Sequence, residues 1–170
     1  MSRLKSILKT TIYIYNYSKG GCTVSYINEN AKDIPNAELY VIAVGTNDVR
    51  YRDEAQCAMT AEAYVNDIDR LRTALLEKNA DAEFVFIAPW YSTDGDKYCS
   101  LSYEEKTRLN NEYSEALHKY CDEQKLDFIN ANAYIQDMLS KYPDSEFLLD
   151  HIHPNSGKGV VMYSQAVLLS

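Results

Sequence analysis

The stretch ELYVIAVGTND, residues 38–48, contains a nearly continuous run of apolar side chains that ends at Gly45. An apolar run without alternation, followed by a glycine, predicts a strand buried on both faces of a parallel sheet. A glycine at the end of such a strand lets the chain turn sharply and approach a ligand closely. Asn47 and Asp48 would then lie at the carboxyl edge of the sheet, where open α/β sheets bind their ligands.

Other stretches predict the rest of an alternating α/β domain. Three more runs rich in β-branched and aromatic residues predict strands: TIYIYNY at 11–17, EFVFIAP at 83–89 and the weaker LDFINA at 126–131. Apolar residues at helical spacing predict helices at 61–78, 102–124, 132–142 and 156–169, and residues 1–11 suit a short amphipathic helix. Ser102 and Glu105 have the spacing of a capping box. This order predicts a single domain over residues 1–170, with helices on both faces of a parallel sheet.

Composition and charge limit the classes of partner. The chain has 170 residues, 46% hydrophobic and 25% charged, as is usual for a globular domain. A net charge of −8 disfavours nucleic acid and anionic membrane surfaces as partners. The four cysteines lack metal-binding spacing, so we expect free thiols, no metal and a reducing compartment. With no membrane-length apolar run and no signal sequence in this chain, the expected location is the cytoplasm.

The sequence DHIHP, Asp150 to Pro154, holds two of the three histidines and precedes the last predicted helix. Asp150 and His153 are three residues apart, so on a turn the carboxylate can bind one ring nitrogen of the histidine. That contact would orient the imidazole and leave its second nitrogen as a general base. The alternative is a structural turn, in which Asp150 caps the chain and His153 lies at the surface. His151 is expected to be structural, and His118, within the long helix, solvated.

Two other groups are expected at the same edge of the sheet. Asn47 can donate its side-chain amide to an oxyanion. Residues 20–21 are both glycine and follow the first predicted strand, so their backbone N–H groups can serve as further donors. Each pattern alone is equally typical of an ordinary turn, since Asn, Asp and Gly favour turns for local reasons.

Three segments resemble sequence blocks of the SGNH (GDSL) hydrolases in their order and spacing. They are NYSKGG (16–21), GTND (45–48) and DHIHP (150–154). The resemblance covers nearly the whole chain. It implies a three-layer α/β/α sandwich with a flavodoxin-like parallel sheet. It also implies the activity of an esterase, lipase, carbohydrate acetylesterase or acyltransferase.

The resemblance also implies roles for individual residues. His153 would be the base and Asp150 the residue that orients it. Gly21 would supply a backbone oxyanion donor and Asn47 a side-chain donor. Asp48 would support the loop.

The chain departs from the family pattern at the nucleophile. The first block of the family is a Gly-Asp-Ser turn whose serine attacks the ester, and this sequence contains no Gly-Asp-Ser. The chain is expected to begin after the strand and turn that carry this serine, and that strand is central in a flavodoxin-like sheet. Its neighbours would have unpaired backbone groups. Three arrangements would pair these backbone groups: direct pairing of 11–17 with 38–45, a homodimer that fills the gap, or a longer parent protein. We favour the first two.

Residues around the expected pocket suggest substitutes and a ligand. Ser18 and Cys22 flank the glycine loop and are the alternative nucleophiles, although both also suit ordinary loop positions. Trp90 and Tyr91 follow the strand at 83–89 and are expected to form a pocket wall. Aromatic rings suit sugar faces, so the expected ligand is a small acyl ester or an acylated sugar, with no cofactor.

Three functions are compatible with these patterns. The first is an SGNH-type ester hydrolase or acyltransferase with a Ser-His-Asp-type mechanism whose serine is absent from this chain. The second is a catalytically inactive relative that keeps the pocket and binds an acylated ligand or a partner chain. The third, a flavodoxin-like nucleotide or flavin binder, ranks last because no glycine-rich phosphate loop of the required form follows the first predicted strand.

Overall fold

The structure is a computed structural model that describes residues 12–50, 60–90, 93–96, 99 and 101–170. The helix expected in residues 1–11 lies outside these ranges, as does Tyr91. Within them, three parallel strands form one sheet in the order β1, β2, β3. Their bounds are Leu39–Ala43 for β1, Glu83–Ile87 for β2 and Asp127–Ile129 for β3.

The register of the sheet places the ends of the strands side by side. Ala43 of β1 lies opposite Ile87 of β2, and Ile87 lies opposite Ile129 of β3. The loops that follow the three strands therefore share one edge, as expected for parallel strands. These strands confirm the predictions made from the apolar runs at 38–45, 83–89 and 126–131.

The helices also follow the predicted pattern. Their bounds are Val24–Glu29 (α1), Thr46–Arg50 (α2), Ala61–Leu76 (α3), Tyr103–Gln124 (α4), Asn132–Lys141 (α5) and Lys158–Leu169 (α6). Single 3₁₀ turns span Ala31–Asp33 and Asp144–Glu146. Ser102 caps α4 by accepting the backbone N–H of Glu105 at 3.2 Å, which confirms the predicted cap.

Two apolar clusters fill the interior. The larger joins β1 and β2, through Tyr40 and Phe86, to apolar side chains of α3 and α4. The smaller joins α5 and α6 to Phe147 and Leu148, with Trp90 packed against it. The chain thus has the three-layer α/β/α class of the prediction. No helix among the described residues is long and apolar enough to cross a membrane.

Residues 12–17 differ from the prediction. They form no strand, and their side chains are exposed, with Ile14 at 86%. The prediction of a strand here was therefore wrong for residues 12–17, and within the described ranges this stretch does not pair with β1. β-branched and aromatic residues favour extended backbone, but a strand also needs a neighbour that accepts its hydrogen bonds.

The prediction that β1 is buried on both faces was also wrong. Tyr40 and Ile42 point into the core, whereas Leu39 and Val41 on the opposite face are 46% and 60% exposed. Within the described residues, β1 pairs on one edge only, with β2. As far as the described residues go, one face and one edge of β1 are therefore open.

Candidate functional site

The DHIHP segment forms a tight turn that brings Asp150 and His153 together. Oδ2 of Asp150 lies 2.9 Å from ring Nδ1 of His153. Oδ1 of the same carboxylate accepts the backbone N–H groups of Ile152 and His153, each at 2.8 Å. The His153 side chain is 65% exposed. With Nδ1 held by the carboxylate, the second ring nitrogen is the one that can exchange protons with a ligand.

The hydrogen bonds of the turn decide the charge of Asp150. Partial desolvation raises the pKa of this carboxyl, but the backbone N–H of His153, the ring of His153 and the backbone N–H of Ile152 stabilise the anion. These three contacts outweigh desolvation and hold the pKa of Asp150 well below its usual range. Asp150 is therefore ionised at neutral pH, as a residue that stabilises an imidazolium must be.

The turn is fixed at its base by backbone contacts. Leu148 and Pro154 form an antiparallel bridge, and Leu149 donates its N–H to the carbonyl of His153 at 2.8 Å. Oδ1 of Asn155 accepts the N–H of Gly159 at 3.0 Å, which joins the turn to the first residues of α6. A Cβ at Gly159 would overlap the carbonyl oxygen of Phe147, so this close packing requires glycine.

The GTND segment begins with a glycine whose conformation and surroundings both exclude a side chain. Gly45 has φ of +123°, and a Cβ there would lie 2.6 Å from Cγ of Pro89 and 2.9 Å from Cε2 of Tyr64. The hydroxyl of Tyr64 donates to the carbonyl of Val44 at 2.9 Å. Burial, with the negative charge of Asp48, raises the pKa of Tyr64 well above its usual value, so Tyr64 keeps its proton and its donor role.

Asn47 and Asp48 join this segment to the glycine loop. Nδ2 of Asn47 donates to the carbonyl of Cys22 at 3.0 Å. Both carboxylate oxygens of the fully buried Asp48 lie 3.2 Å from the N–H of Val24, the first residue of α1. The loop that contains Gly21, with φ of +77°, is thus held beside Asn47. Asp48 supports the loop, in keeping with the role expected for it.

A cavity of about 220 Å³ lies at the carboxyl ends of β1 and β2, and its lining includes sequence neighbours of Asn47 and His153 rather than these two residues themselves. Thr46 precedes Asn47 and Pro154 follows His153, and both line the cavity. Trp90 lies in its wall, where the sequence predicted a wall residue, and stacks edge-on against Tyr163 at 6.2 Å between ring centroids. Tyr91, the second predicted wall residue, is outside the described ranges.

A buried ionic cluster under this edge was not predicted. The side chain of Asp96 is 1% exposed and receives Nε of Arg50 at 2.7 Å and NH2 at 3.1 Å. Lys106 Nζ lies 3.7 Å away, and Nε2 of His151 lies 2.9 Å from Oδ1 of Asp96. The carbonyl of His151 accepts the N–H of Thr93 at 2.8 Å. His151 therefore ties the DHIHP turn to the loop after β2, a structural role as expected.

The remaining candidates lie in more ordinary surroundings. Ser18 is exposed and its N–H donates to the side chain of Asn16 at 3.0 Å. Cys22 is a half-buried free thiol. His118 is exposed on α4, where it stacks on Phe128 at 4.6 Å, in agreement with the expectation of a solvated residue. Among the described residues, no group of His, Cys, Asp and Glu could hold a metal ion.

The sequence profile of the GDSL-like lipase/acylhydrolase family matches residues 2–157. The chain belongs to this family. Membership assigns ester hydrolysis to it as a class of reaction, and the SGNH resemblance drawn from the three sequence blocks is confirmed. No curated protein matches the sequence significantly.

Solved structures of GDSL-type esterases share the fold. An acetylxylan esterase from Geobacillus stearothermophilus superposes with a TM-score of 0.68 at 16% identity, over 88% of this chain and 67% of its own. A GDSL-like lipase from Parabacteroides merdae superposes with a TM-score of 0.69 at 19% identity, over 88% of this chain and 70% of its own. A member of the lipolytic G-D-S-L family from Veillonella parvula superposes with a TM-score of 0.69 at 15% identity, over 92% of this chain and 79% of its own. At these identities the GDSL-like fold is what the superpositions establish.

Proposed function

We propose that this GDSL-like chain acts on esters of small acyl groups, with a carbohydrate as the alcohol, and that His153 is its general base. The observation that carries the proposal is the 2.9 Å contact between Nδ1 of His153 and the ionised Asp150, on the turn whose Pro154 lines the cavity. This contact sets the tautomer in which the second ring nitrogen accepts a proton.

In the proposed reaction, that nitrogen takes the proton of an attacking hydroxyl. The Asp150 carboxylate stabilises the imidazolium that results, and the proton then passes to the leaving alcohol. The negative charge that develops on the ester oxygen would be stabilised by the N–H of Gly21 and the amide of Asn47, which the contact with Cys22 orients. The acyl group is then bonded to the attacking oxygen. Water or an acceptor hydroxyl, giving its proton to His153, attacks this acyl group, and the proton returns to the attacking oxygen as it leaves, so an acyltransferase is a variant of the same proposal.

The attacking hydroxyl is the part that the sequence leaves open. The chain has no Gly-Asp-Ser, and Ser18 beside the glycine loop is the serine to test first, followed by the Cys22 thiol. Both are substitutes for a family serine that this chain does not contain.

The size and lining of the cavity support the choice of substrate. A volume of about 220 Å³ lies below the range of roughly 300–1,000 Å³ that holds drug-sized ligands, so the cavity suits an acetyl-sized group better than a fatty acyl chain. Trp90 and Tyr163 offer aromatic faces on which a sugar ring can stack. An acetylxylan esterase among the similar folds is in keeping with such a substrate.

The test is hydrolysis of p-nitrophenyl acetate by the wild-type chain, by His153→Ala and by His118→Ala. His118 is exposed on α4 and takes no part in the site, so its variant is the matched control. Loss of the general base should lower kcat/KM by about 10²–10⁴-fold. Equal rates in all three proteins would contradict the role of His153. The same assay on Ser18→Ala and Cys22→Ala then identifies the nucleophile.

The second candidate function is ligand binding without turnover, and the absence of Gly-Asp-Ser is the observation that favours it. Trp90 is the one tryptophan of the chain and lies in the cavity wall, so its fluorescence reports binding there directly. An acetylated xylo-oligosaccharide that changes this fluorescence but is not hydrolysed would support the binding function. The deacetylated oligosaccharide is the control for recognition of the acyl group.

A further inference from the structure

The open side of β1 is a site at which another strand can add. β1 pairs in parallel with β2 along its five residues, and no strand of the described ranges lies on its other edge. The backbone N–H and C=O groups along such an edge are a template for a further strand. On the bare face, Leu39 and Val41 present apolar side chains to the same side. A strand added here would cover apolar surface as well as complete hydrogen bonds.

The same chain carries a segment suited to that edge. Residues 12–17, IYIYNY, are exposed, form no regular structure and contain no charged residue. β-branched and aromatic side chains favour strands, and an uncharged run of this length is unfavourable to leave in water. The segment and the edge are therefore two unsatisfied features that match in length and in character.

We propose that two copies of the chain exchange residues 12–17, each adding this segment as a strand to the open edge of β1 in the other copy. A reciprocal exchange satisfies both open edges of the pair through one twofold axis. Alternate side chains of the added strand would lie beside Leu39 and Val41. This proposal concerns assembly and does not depend on ester hydrolysis.

The chain between the segment and the domain allows such an exchange. Gly20 and Gly21 follow the segment, no atom lies within 4 Å of a Cβ at either position, and Gly21 already adopts φ of +77°. Val24, three residues later, is anchored to Asp48. Residues before the glycines can therefore change direction while α1 and the Asn47 side of the site stay in place.

The charge of the chain predicts how the proposed dimer responds to salt. Each copy has a net charge of −8, so two copies repel each other at low ionic strength. The exchanged segment has no charge of its own, so the contact contains no attractive ion pair that salt would weaken. Added salt screens only the repulsion, and we expect the dimer to become more stable as the ionic strength rises.

The experiment is sedimentation velocity on the full chain over a roughly hundredfold range of concentration, because a dimer obeys mass action. The wild type is expected to pass from monomer to dimer. Successive residues of a strand direct their N–H groups to opposite edges, so one of Tyr13 and Ile14 would donate to β1. A Tyr13→Pro, Ile14→Pro double variant removes both N–H groups and therefore the donor that faces β1. Val41→Lys places a charge on the face to be covered. Both variants should raise the dimer Kd at least about tenfold, or about 1.4 kcal/mol.

Leu168→Asp is the matched control, because Leu168 is 81% exposed on α6 and belongs to neither partner of the exchange. It should leave the dimer Kd unchanged. The altered side chains are exposed in the monomer, so circular dichroism should show a folded domain for all variants. A wild type that stays monomeric throughout, or a dimer that only Leu168→Asp dissociates, would overturn the proposal. Protection of the 12–17 amides from hydrogen exchange in the monomer would do so too, since it would mean pairing within one chain.

Discussion

Asp150 binds His153 twice, through its ring and through its backbone. Oδ2 lies 2.9 Å from Nδ1 of the imidazole, while Oδ1 accepts the N–H of the same residue at 2.8 Å. The carboxylate that contacts the imidazole therefore also shapes the turn that carries it. A change at Asp150 should act on the tautomer of His153 and on the geometry of the turn at once.

Asp150→Asn separates these two roles. The Asn side-chain oxygen can still accept the two backbone N–H groups, but its NH₂ group would face Nδ1 and favour the opposite tautomer of His153. We expect a folded protein in which ester hydrolysis falls by about 10²-fold or more. Nitrogen-15 spectra of the ring report the tautomer whether or not the chain turns over an ester. Asp144→Asn, in the exposed 3₁₀ turn before, should change neither quantity. A ring spectrum unchanged in Asp150→Asn would refute the orienting role.

Gly159→Ala tests how the DHIHP turn is joined to α6. The added methyl group would overlap the carbonyl oxygen of Phe147, so the turn and the helix must separate. Overpacking of this kind destabilises proteins by about 1–3 kcal/mol, and we expect a loss of unfolding free energy in or above that range. Urea denaturation measures it. Ser164→Ala, exposed on the same helix, should change stability by less than about 0.5 kcal/mol. A Gly159→Ala midpoint equal to that of Ser164→Ala would contradict close packing of Gly159 against Phe147.

Asp96→Asn tests the buried ionic cluster. Removing this charge takes a buried carboxylate away from Arg50 and Lys106, which are themselves buried. Breaking a buried ion pair from one side is strongly destabilising, and we expect a loss of about 3 kcal/mol in chemical denaturation. Asp94→Asn is the control, since Asp94 is exposed and its contact with the N–H of Gly95 needs only an oxygen that Asn retains. Similar losses in the two variants would mean that the cluster contributes little.

Alkylation of the thiols tests whether Cys22 is an activated nucleophile. Burial raises the pKa of Cys121 to about 12, so at pH 8 this thiol is protonated as well as inaccessible. Iodoacetamide followed by peptide mass mapping should therefore modify Cys22 in the native protein and Cys121 only after unfolding. If Cys22 is an ordinary loop residue, His153→Ala leaves its rate of alkylation unchanged, which is the result we expect. A rate that falls about tenfold in His153→Ala would identify Cys22 as the group that the base activates.

Features determined by neighbours in sequence were predicted well. The apolar run of β2 and its end before Pro89, the cap of α4 at Ser102, and the meeting of Asp150 with His153 all follow from spacings of a few residues. Such spacings are set by the periods of strands, helices and turns, which a sequence displays directly. Asn47 and Cys22 are 25 residues apart, and the proximity of Asn47 to the glycine loop was expected because both were predicted to follow strands at one edge of the sheet.

Features that depend on distant partners were not predicted. Arg50 and Asp96 are 46 residues apart, and charged residues in loops ordinarily look solvated, so nothing local marks them as a buried pair. Residues 12–17 have the composition of a strand, but composition does not show whether a neighbouring strand is available. The burial of only one face of β1 has the same cause, since burial depends on what covers a strand.

The contact between Thr46 and Trp90 has a consequence for the proposed ester hydrolysis. The Thr46 hydroxyl accepts the N–H of Trp90 at 3.1 Å and donates to its carbonyl at 3.4 Å, which fixes the chain after β1 to the chain after β2. Asn110 and Asn132 both donate to the carbonyl of Pro89 from the other side. Because these hydrogen bonds oppose separation of the walls, the proposed hydrolysis should show an abrupt cut-off with acyl length rather than a gradual decline.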